Sequence, residues 1–114
     1  MKAGRLYNAD SKDLEKYHLF GMETCDKFNR TPLWRKKRKQ RLLEKLIPSA
    51  KDGGAAIFAP FYCEYGVNIH FGKGCFVNYK CTFLDCAPIT LEDGVWVGAN
   101  VTIATPCHPF LSDE

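Results

Sequence analysis

The sequence predicts an all-β core, a parallel β-helix built from six-residue repeats, preceded by a short helical segment. Two observations indicate this fold class. In residues 10–28, apolar side chains recur every three or four positions, which is the spacing of one helix face. After residue 57 they recur every six positions, a period that indicates stacked coils of short strands. We therefore divide the chain into a helical segment, residues 1–56, and a β-helix segment, residues 57–114.

The helical segment contains two predicted helices. The first covers residues 10–28, with its apolar face formed by Leu14, His18, Met22, Cys25 and Phe28. The second is predicted to begin at Thr31-Pro32, because a capping residue followed by proline is typical of a first helical turn. Pro48 ends it, and the Gly- and Ser-containing stretch 49–56 marks the boundary to the repeats.

The β-helix segment carries two apolar series with a period of six. The first is Ala59, Tyr65, Phe71, Val77 and Phe83, resuming after two inserted residues with Leu91, Val97 and Ile103. The second is Cys63, Ile69, Cys75, Cys81, Ile89, Val95, Val101 and Cys107. Three strands make one coil, so residues 59–114 give about three coils, and the insertion at Leu84–Pro88 should form an outward loop. Gly72, Asn78 and Gly98 fall where tight corners need a permissive backbone.

The six cysteines are explained by the same period, because four of them lie in the second series. Buried thiols behave as small apolar residues, so we expect Cys63, Cys75, Cys81 and Cys107 to be buried and reduced. A zinc site would favour a close pair of cysteines, which this sequence lacks, so no metal is expected.

The composition is that of an ordinary globular domain, with 46% hydrophobic and 25% charged residues. No apolar run approaches the roughly 20 residues that span a bilayer, and the N-terminus lacks the apolar region of a secretion signal. We therefore expect a soluble, cytoplasmic protein with no membrane partner.

Six stretches of the sequence are recognisable together: AGRLYNADSKDL (3–14), KFN (27–29), PFYCEYGVNIHFGKG (60–74), VNYKCTFLD (77–85), ITLEDGVWVGANVTI (89–103) and His108-Pro109. In this order they resemble the maltose/galactoside O-acetyltransferases, and they cover almost the whole chain. The resemblance implies a left-handed β-helix and a homotrimer with active sites between neighbouring subunits. It also implies transfer of an acetyl group from acetyl-CoA to a sugar hydroxyl. In that family further coils follow the His-Pro element and supply much of the acetyl-CoA groove, so we expect little activity from the 114 residues alone.

The resemblance assigns the catalytic residues. His108 matches the catalytic histidine, and an imidazole of ordinary pKa about 6.5 suits a general base for a sugar hydroxyl. Asn78 matches an asparagine beside the reacting acetyl group, where an amide can donate to a developing oxyanion. We expect His108 to act as general base and Asn78 to bind the acetyl-CoA thioester.

The resemblance assigns the acceptor site to Glu64 and Asp85, which fall where the family places polar residues facing the sugar, and to Asn8 and Asp10, which flank the position of the family's acceptor-contacting acid. Carboxylates accept hydrogen bonds from vicinal sugar hydroxyls. Galactoside-acetylating members tend to carry a second Asp after the first, where this chain has Cys86. This difference favours a maltose-type or unidentified acceptor.

The net charge of +3 comes from one stretch, because residues 30–45 hold eight Lys or Arg and one Glu. The run Arg35–Arg41 could bind nucleic acid by its charge, but such a run is usually a solvated helix face, so nucleic acid is not the favoured partner. It could also steer the CoA phosphates. Two alternatives to the sugar O-acetyltransferase stay open: a catalytically silent interaction module and a nucleic-acid binder.

Overall fold

The structure is a computed structural model, and it describes residues 11–106. Two helices are followed by a short 3₁₀ helix and then by strands. Helix α1 is Ser11–Arg30, helix α2 is Lys36–Leu46, and the 3₁₀ helix is Pro48–Gly53. The strands are β1 Ala55–Ile57, β2 Phe61–Cys63, β3 Ile69–Phe71, β4 Cys75–Val77, β5 Cys81–Leu84, β6 Ile89–Leu91, β7 Trp96–Val97 and β8 Thr102–Ala104. Both predicted helices are present. Among the described residues, no helix is long and apolar enough to cross a membrane.

The break between the helices differs from the prediction. Thr31 closes helix α1, since its backbone N–H and its hydroxyl both donate to the carbonyl of Lys27. Helix α2 begins only at Lys36, and Arg35 at its N-cap makes no side-chain capping hydrogen bond. The prediction that Thr31-Pro32 starts the second helix is therefore wrong, because the Thr31 hydroxyl already serves the preceding helix.

The strands form three parallel sheets, in the orders β1-β4-β7, β2-β5-β8 and β3-β6. Each strand pairs with the third strand after it, so three strands make one coil and successive coils stack. The register is uniform, as Ala55 pairs with Cys75 and Phe83 pairs with Ile103, a separation of 20 residues. This arrangement fits a left-handed β-helix, and over the described residues it is an open stack rather than a closed solenoid.

The uniform register reveals a second two-residue insertion that the sequence analysis missed. Three plain six-residue repeats fall two residues short of the observed separation, so the first coil must also contain an insertion. It lies between β2 and β3, at residues 64–68. The predicted phase is therefore wrong before this point: Ile57 and Cys63, rather than Ala59 and Tyr65, occupy the inward positions of the first series.

The interior is filled by the inward-facing strand residues together with both helices. Phe61 and Phe83 are fully buried and their ring centroids lie 5.3 Å apart. Leu46 of helix α2 and Phe28 of helix α1 are buried in the same hydrophobic cluster. The prediction of an all-β core is therefore correct only in part, because the helices supply core side chains to the first coil.

The tight corners fall later than predicted. Gly72, Asn78 and Gly98 are not left-handed. Among residues 11–106, the left-handed non-glycine residues are Lys80, at φ 63°, and Asn100, at φ 61°. A lone residue such as Lys80 can adopt this conformation at a modest cost. Gly72 is required for a different reason, since a Cβ there would overlap the side chain and backbone of the neighbouring coil.

As predicted, three of the named cysteines are buried free thiols: Cys63, Cys75 and Cys81, although the register places Cys63 in the first series. The Cys81 thiol donates to the carbonyl of Gly98 in the next coil, at 3.0 Å. Cys107 lies outside the described residues. Cys86, which was not among the cysteines predicted to be reduced, is disulfide-bonded.

Candidate active site

Three of the predicted site residues are described by the structure: Glu64, Asn78 and Asp85. The others lie outside the described residues: His108, Asn8 and Asp10. Glu64 follows β2 and Asp85 follows β5, and because these strands are neighbours in the second sheet, the two residues come together. Asn78 follows β4 of the first sheet and therefore lies at a different corner of the coil.

The two insertions stack on one another. We call residues 64–68 the first-coil corner and residues 84–88 the second-coil corner. Asp85 in the second-coil corner is fully buried, and its carboxylate accepts hydrogen bonds from four backbone N–H groups of the first-coil corner. The donors are Glu64 at 3.0 Å and Tyr65 at 2.9 Å on Oδ1, and Gly66 at 2.7 Å and Asn68 at 3.3 Å on Oδ2.

This environment determines the ionisation and the role of Asp85. Burial raises the pKa of its carboxyl above the ordinary value, while the backbone N–H donors act in the opposite direction. With its side chain turned into the protein, Asp85 holds the backbone that carries Glu64. Its predicted contact with an acceptor sugar stays a prediction.

Asn68 completes the connection between the corners. Its side-chain Nδ2 donates to the carbonyls of Asp85, at 2.7 Å, and Cys86, at 3.3 Å. The Asp85 and Asn68 side chains thus bind each other's corner in both directions. The Oδ1 of Asn68 is buried and has no hydrogen-bond partner among the described residues. Asn68 was not predicted as a site residue, although it lies in the recognisable stretch YGVN.

Glu64 is the carboxylate of this corner that reaches the surface. Its side chain is half-buried, and Oε1 lies 2.7 Å from the sulfur of Cys86. Cys86 is the residue at which this sequence differs from the galactoside-acetylating members, so the group next to the Glu64 carboxylate is a sulfur rather than a second carboxylate. A carboxylate in this position can accept hydrogen bonds from a polar ligand.

Helix α1 packs on the outside of the first-coil corner. Gly21 lies against it so closely that a Cβ would overlap the Glu64 carbonyl oxygen and come within 3.1 Å of the Tyr65 Cα. One turn earlier, the His18 ring packs against the Tyr65 ring at a centroid distance of 5.3 Å. The corner is therefore held from inside by Asp85 and from outside by the helix.

Asn29, at the end of helix α1, attaches the helix to strand β2. Its Nδ2 donates to the Phe61 carbonyl at 3.0 Å, and its Oδ1 accepts from the Phe61 N–H at 2.8 Å. The side-chain amide thus pairs with β2 as a neighbouring strand would, which accounts for the KFN stretch. Nearby, the buried sulfurs of Cys25 and Cys63 lie 3.5 Å apart, and this contact together with burial raises the pKa of Cys63 well above its ordinary value.

Asn78 occupies a corner without an insertion. Its side chain is half-buried, and Oδ1 accepts the backbone N–H of Tyr79 at 2.8 Å. Because the Tyr79 N–H fixes the position of Oδ1, the Nδ2 on the other side of the amide points away from that N–H. No acceptor within the described residues binds Nδ2. Within the part of the chain that the structure describes, the amide nitrogen is therefore left to donate to a further acceptor.

The chain is similar in sequence and in structure to known proteins. Residues 1–51 match the family described as the maltose acetyltransferase hexapeptide capping motif. A maltose O-acetyltransferase structure from Clostridium difficile 630 superposes with a TM-score of 0.78 at 32% identity, covering 89% of this chain and 53% of that one. The chain belongs to the hexapeptide-repeat acetyltransferases.

Other members differ in what their names say they act on. A galactoside O-acetyltransferase of Lactococcus lactis is 32% identical over 95% of this chain and 52% of its own length. A sophorolipid acetyltransferase of Starmerella bombicola is 45% identical over 68% of this chain and 29% of its own. A hexapeptide-repeat acetyltransferase of Vibrio cholerae, solved in complex with acetyl coenzyme A, superposes with a TM-score of 0.67 at 25% identity, covering 81% and 49% of the two chains. This chain spans at most 60% of the length of these and the other leading curated relatives.

Proposed function

We propose that the protein transfers an acetyl group from acetyl-CoA to a hydroxyl of a sugar. The observation that carries this proposal is the superposition on a maltose O-acetyltransferase over 89% of the chain. The complex of the Vibrio cholerae relative with acetyl coenzyme A supports the same donor here. A maltose-type acceptor agrees with the replacement of the second Asp by Cys86.

The proposed chemistry uses His108 as general base. The imidazole takes the proton of the attacking hydroxyl as the sugar oxygen bonds to the thioester carbonyl carbon, which forms a tetrahedral oxyanion. The Asn78 amide donates to that oxyanion, a kind of stabilisation that is typically worth a factor of about 10²–10³. The intermediate then breaks its C–S bond, and the CoA thiolate takes the proton from the imidazolium.

Glu64 is the proposed acceptor contact within the described residues. Its half-buried carboxylate can accept hydrogen bonds from sugar hydroxyls, whereas the buried Asp85 carboxylate fixes the Glu64 backbone. We assign Asp85 the positioning role. Asn8 and Asp10 remain proposed contributors on the N-terminal side.

A homotrimer is part of the proposal. Asn78 and Glu64 lie at different corners of one chain, too far apart in the fold to be brought together by neighbouring strands. If Asn78 of one subunit faces Glu64 of the next, a site between subunits combines both. Sedimentation of the protein as a stable monomer would contradict this arrangement.

The test is the substitution His108→Ala in the protein that contains this chain. Loss of a positioned base should lower acetyl transfer to maltose by a factor of about 10²–10⁴. Release of the CoA thiol measures turnover, and calorimetry measures acetyl-CoA affinity, which should change little because the imidazole acts on the hydroxyl.

A control variant tests whether the loss is specific to His108. His70→Ala replaces a half-buried histidine of β3 that has no role in the proposal, so it should leave turnover within a few-fold of wild type. Full activity in His108→Ala would refute the assignment. Absence of transfer to any hydroxyl, with acetyl-CoA bound, would favour the interaction module instead.

A further inference from the structure

A groove of about 370 Å³ lies between helix α2 and the first sheet, outside the corner that carries Glu64. Its size falls in the range of about 300–1,000 Å³ that is usual for small-molecule sites. The apolar part of its lining is Phe28, Leu33, Leu43, Ile57, Phe58 and Tyr79. Nothing in the proposed transfer reaction uses this surface.

The groove is apolar on its floor and basic on one rim. Phe58 and Tyr79 are 42% and 52% exposed, and their ring centroids lie 5.0 Å apart. Leu33, which also lines the groove, is 78% exposed. Exposed aromatic and aliphatic side chains around one concave surface favour a bound apolar chain over open water.

The basic rim is formed by Lys36 and Lys39 of helix α2. The Lys39 Nζ donates to the carbonyls of Phe28 and Thr31 and lies 4.1 Å from the Phe28 ring centroid. Within the described residues there is one ion pair between a basic and an acidic side chain, and it joins Arg30 to Asp26. Lys36 and Lys39 thus have no carboxylate partner there, and the rim complements an anion.

Tyr79 connects the groove to the proposed reaction site. It follows Asn78 in the chain, and its backbone N–H orients the Asn78 amide. A ligand lying along the groove would therefore contact Tyr79, the neighbour in sequence of the residue that the proposed function places at the acetyl group.

We propose that this groove binds the alkyl chain of an anionic amphiphile, with the negative group at Lys36 and Lys39. One part of the inference rests on the proposed function: if the protein transfers acetyl groups, the bound amphiphile would be an acceptor and would present its hydroxyl near Asn78. Binding itself is independent of the reaction and is tested without acetyl-CoA.

The experiment titrates the chain with octanoate, decanoate and dodecanoate below their micelle concentrations, using calorimetry and amide NMR shifts. Each fully buried methylene should tighten binding by about fourfold, and the shifts should include Phe58 and Tyr79. Dodecyltrimethylammonium, which has the same alkyl chain and the opposite charge, should bind at least tenfold more weakly.

Variants with matched controls locate the site. Leu33→Asp should abolish saturable binding of dodecanoate, whereas Leu19→Asp, at an exposed leucine of helix α1 outside the groove, should not. Lys36→Glu should weaken binding by about tenfold, whereas Lys45→Glu makes the same charge change at an exposed position of helix α2 outside the groove and should have little effect.

Several results would overturn the inference. They are equal binding of the cation, no dependence on chain length, and equal losses in Lys36→Glu and Lys45→Glu. Absence of saturable binding would mean that the groove is filled by another part of the chain or by a second copy. Acetyl transfer to maltose could persist in each case, so failure here is distinguishable from failure of the proposed function.

Discussion

The chain turns from one sheet to the next in two different ways. After the second sheet, at the inserted corner (residues 64–68 and 84–88), both coils carry an insertion, and the buried Asp85 carboxylate accepts hydrogen bonds from four backbone N–H groups across the coils. After the first sheet, at the plain corner (residues 78–80), there is no insertion, the chain turns through left-handed Lys80, and Asn78 makes one local hydrogen bond. The inserted corner uses the buried side chains of Asp85 and Asn68 for structure, whereas at the plain corner the Asn78 Nδ2 has no acceptor among the described residues.

The largest effect expected from this comparison is on stability at the inserted corner. Asp85→Ala would leave four backbone N–H groups without their acceptor, and the two of them in buried hydrogen bonds, on Gly66 and Asn68, would cost about 1–3 kcal/mol each. We therefore expect the free energy of unfolding to fall by about 2–6 kcal/mol, measured by urea denaturation.

Asn78→Ala is the matched test of stability at the plain corner. It removes one hydrogen bond between neighbouring residues, so unfolding should change by no more than about 1 kcal/mol. Similar losses from the two substitutions would show that the corners are not divided between structure and function as we describe.

The same Asn78→Ala variant should have its main effect on catalysis. Removal of a single oxyanion donor typically lowers turnover by a factor of about 10²–10³. Turnover should fall while the midpoint of thermal unfolding stays near that of wild type. An unchanged turnover number would remove Asn78 from the proposed site.

The support that helix α1 gives the inserted corner should be smaller but measurable. Gly21→Ala places a methyl group against the backbone of Glu64, and overpacking of this kind costs about 1–3 kcal/mol. If the corner positions Glu64, the KM for the acceptor should rise while acetyl-CoA affinity stays constant.

Gly98→Ala is the control for that variant, because nothing lies within 4 Å of a Cβ added at Gly98 and its φ is not left-handed. It should leave both stability and KM nearly unchanged. A Gly21→Ala protein with wild-type stability would show that the helix can move away from the corner at little cost.

Much of the fold could be predicted from spacing alone. The helices follow from three-and-four spacing and the coils from the six-residue period, because burial imposes these periods on apolar side chains. The first insertion escaped notice because Ala59 and Tyr65 continue the period outside the core. Tyr65 is apolar for another reason, its packing against His18.

The sequence could name candidate site residues but not the orientation of their side chains. It predicts that Asp85 contacts the acceptor, yet whether its carboxylate faces a ligand or the protein depends on N–H groups about twenty residues earlier in the chain. Gly21, Asn29 and Asn68 were missed since their roles are contacts between distant segments. Sequence spacing carries no information about such contacts until the register of the coils is known.

The smallest expected effect concerns the turn of the plain corner itself. Lys80 has φ 63° and an exposed side chain, and a non-glycine residue pays about 1–2 kcal/mol for this conformation. Lys80→Gly removes that cost. Glycine also makes the unfolded chain more flexible, which lowers the free energy of unfolding by about 0.5–1 kcal/mol. We therefore expect a net stabilisation of about 0–1.5 kcal/mol, seen as a small rise in the urea midpoint with an unchanged slope. Gly74→Ala is the control with the opposite sign, because Gly74 has φ 69° and open space around it, so only backbone strain can act. Destabilisation by Lys80→Gly would mean that the lysine side chain itself supports the corner, and the contrast with the side-chain-dependent inserted corner would then be lost.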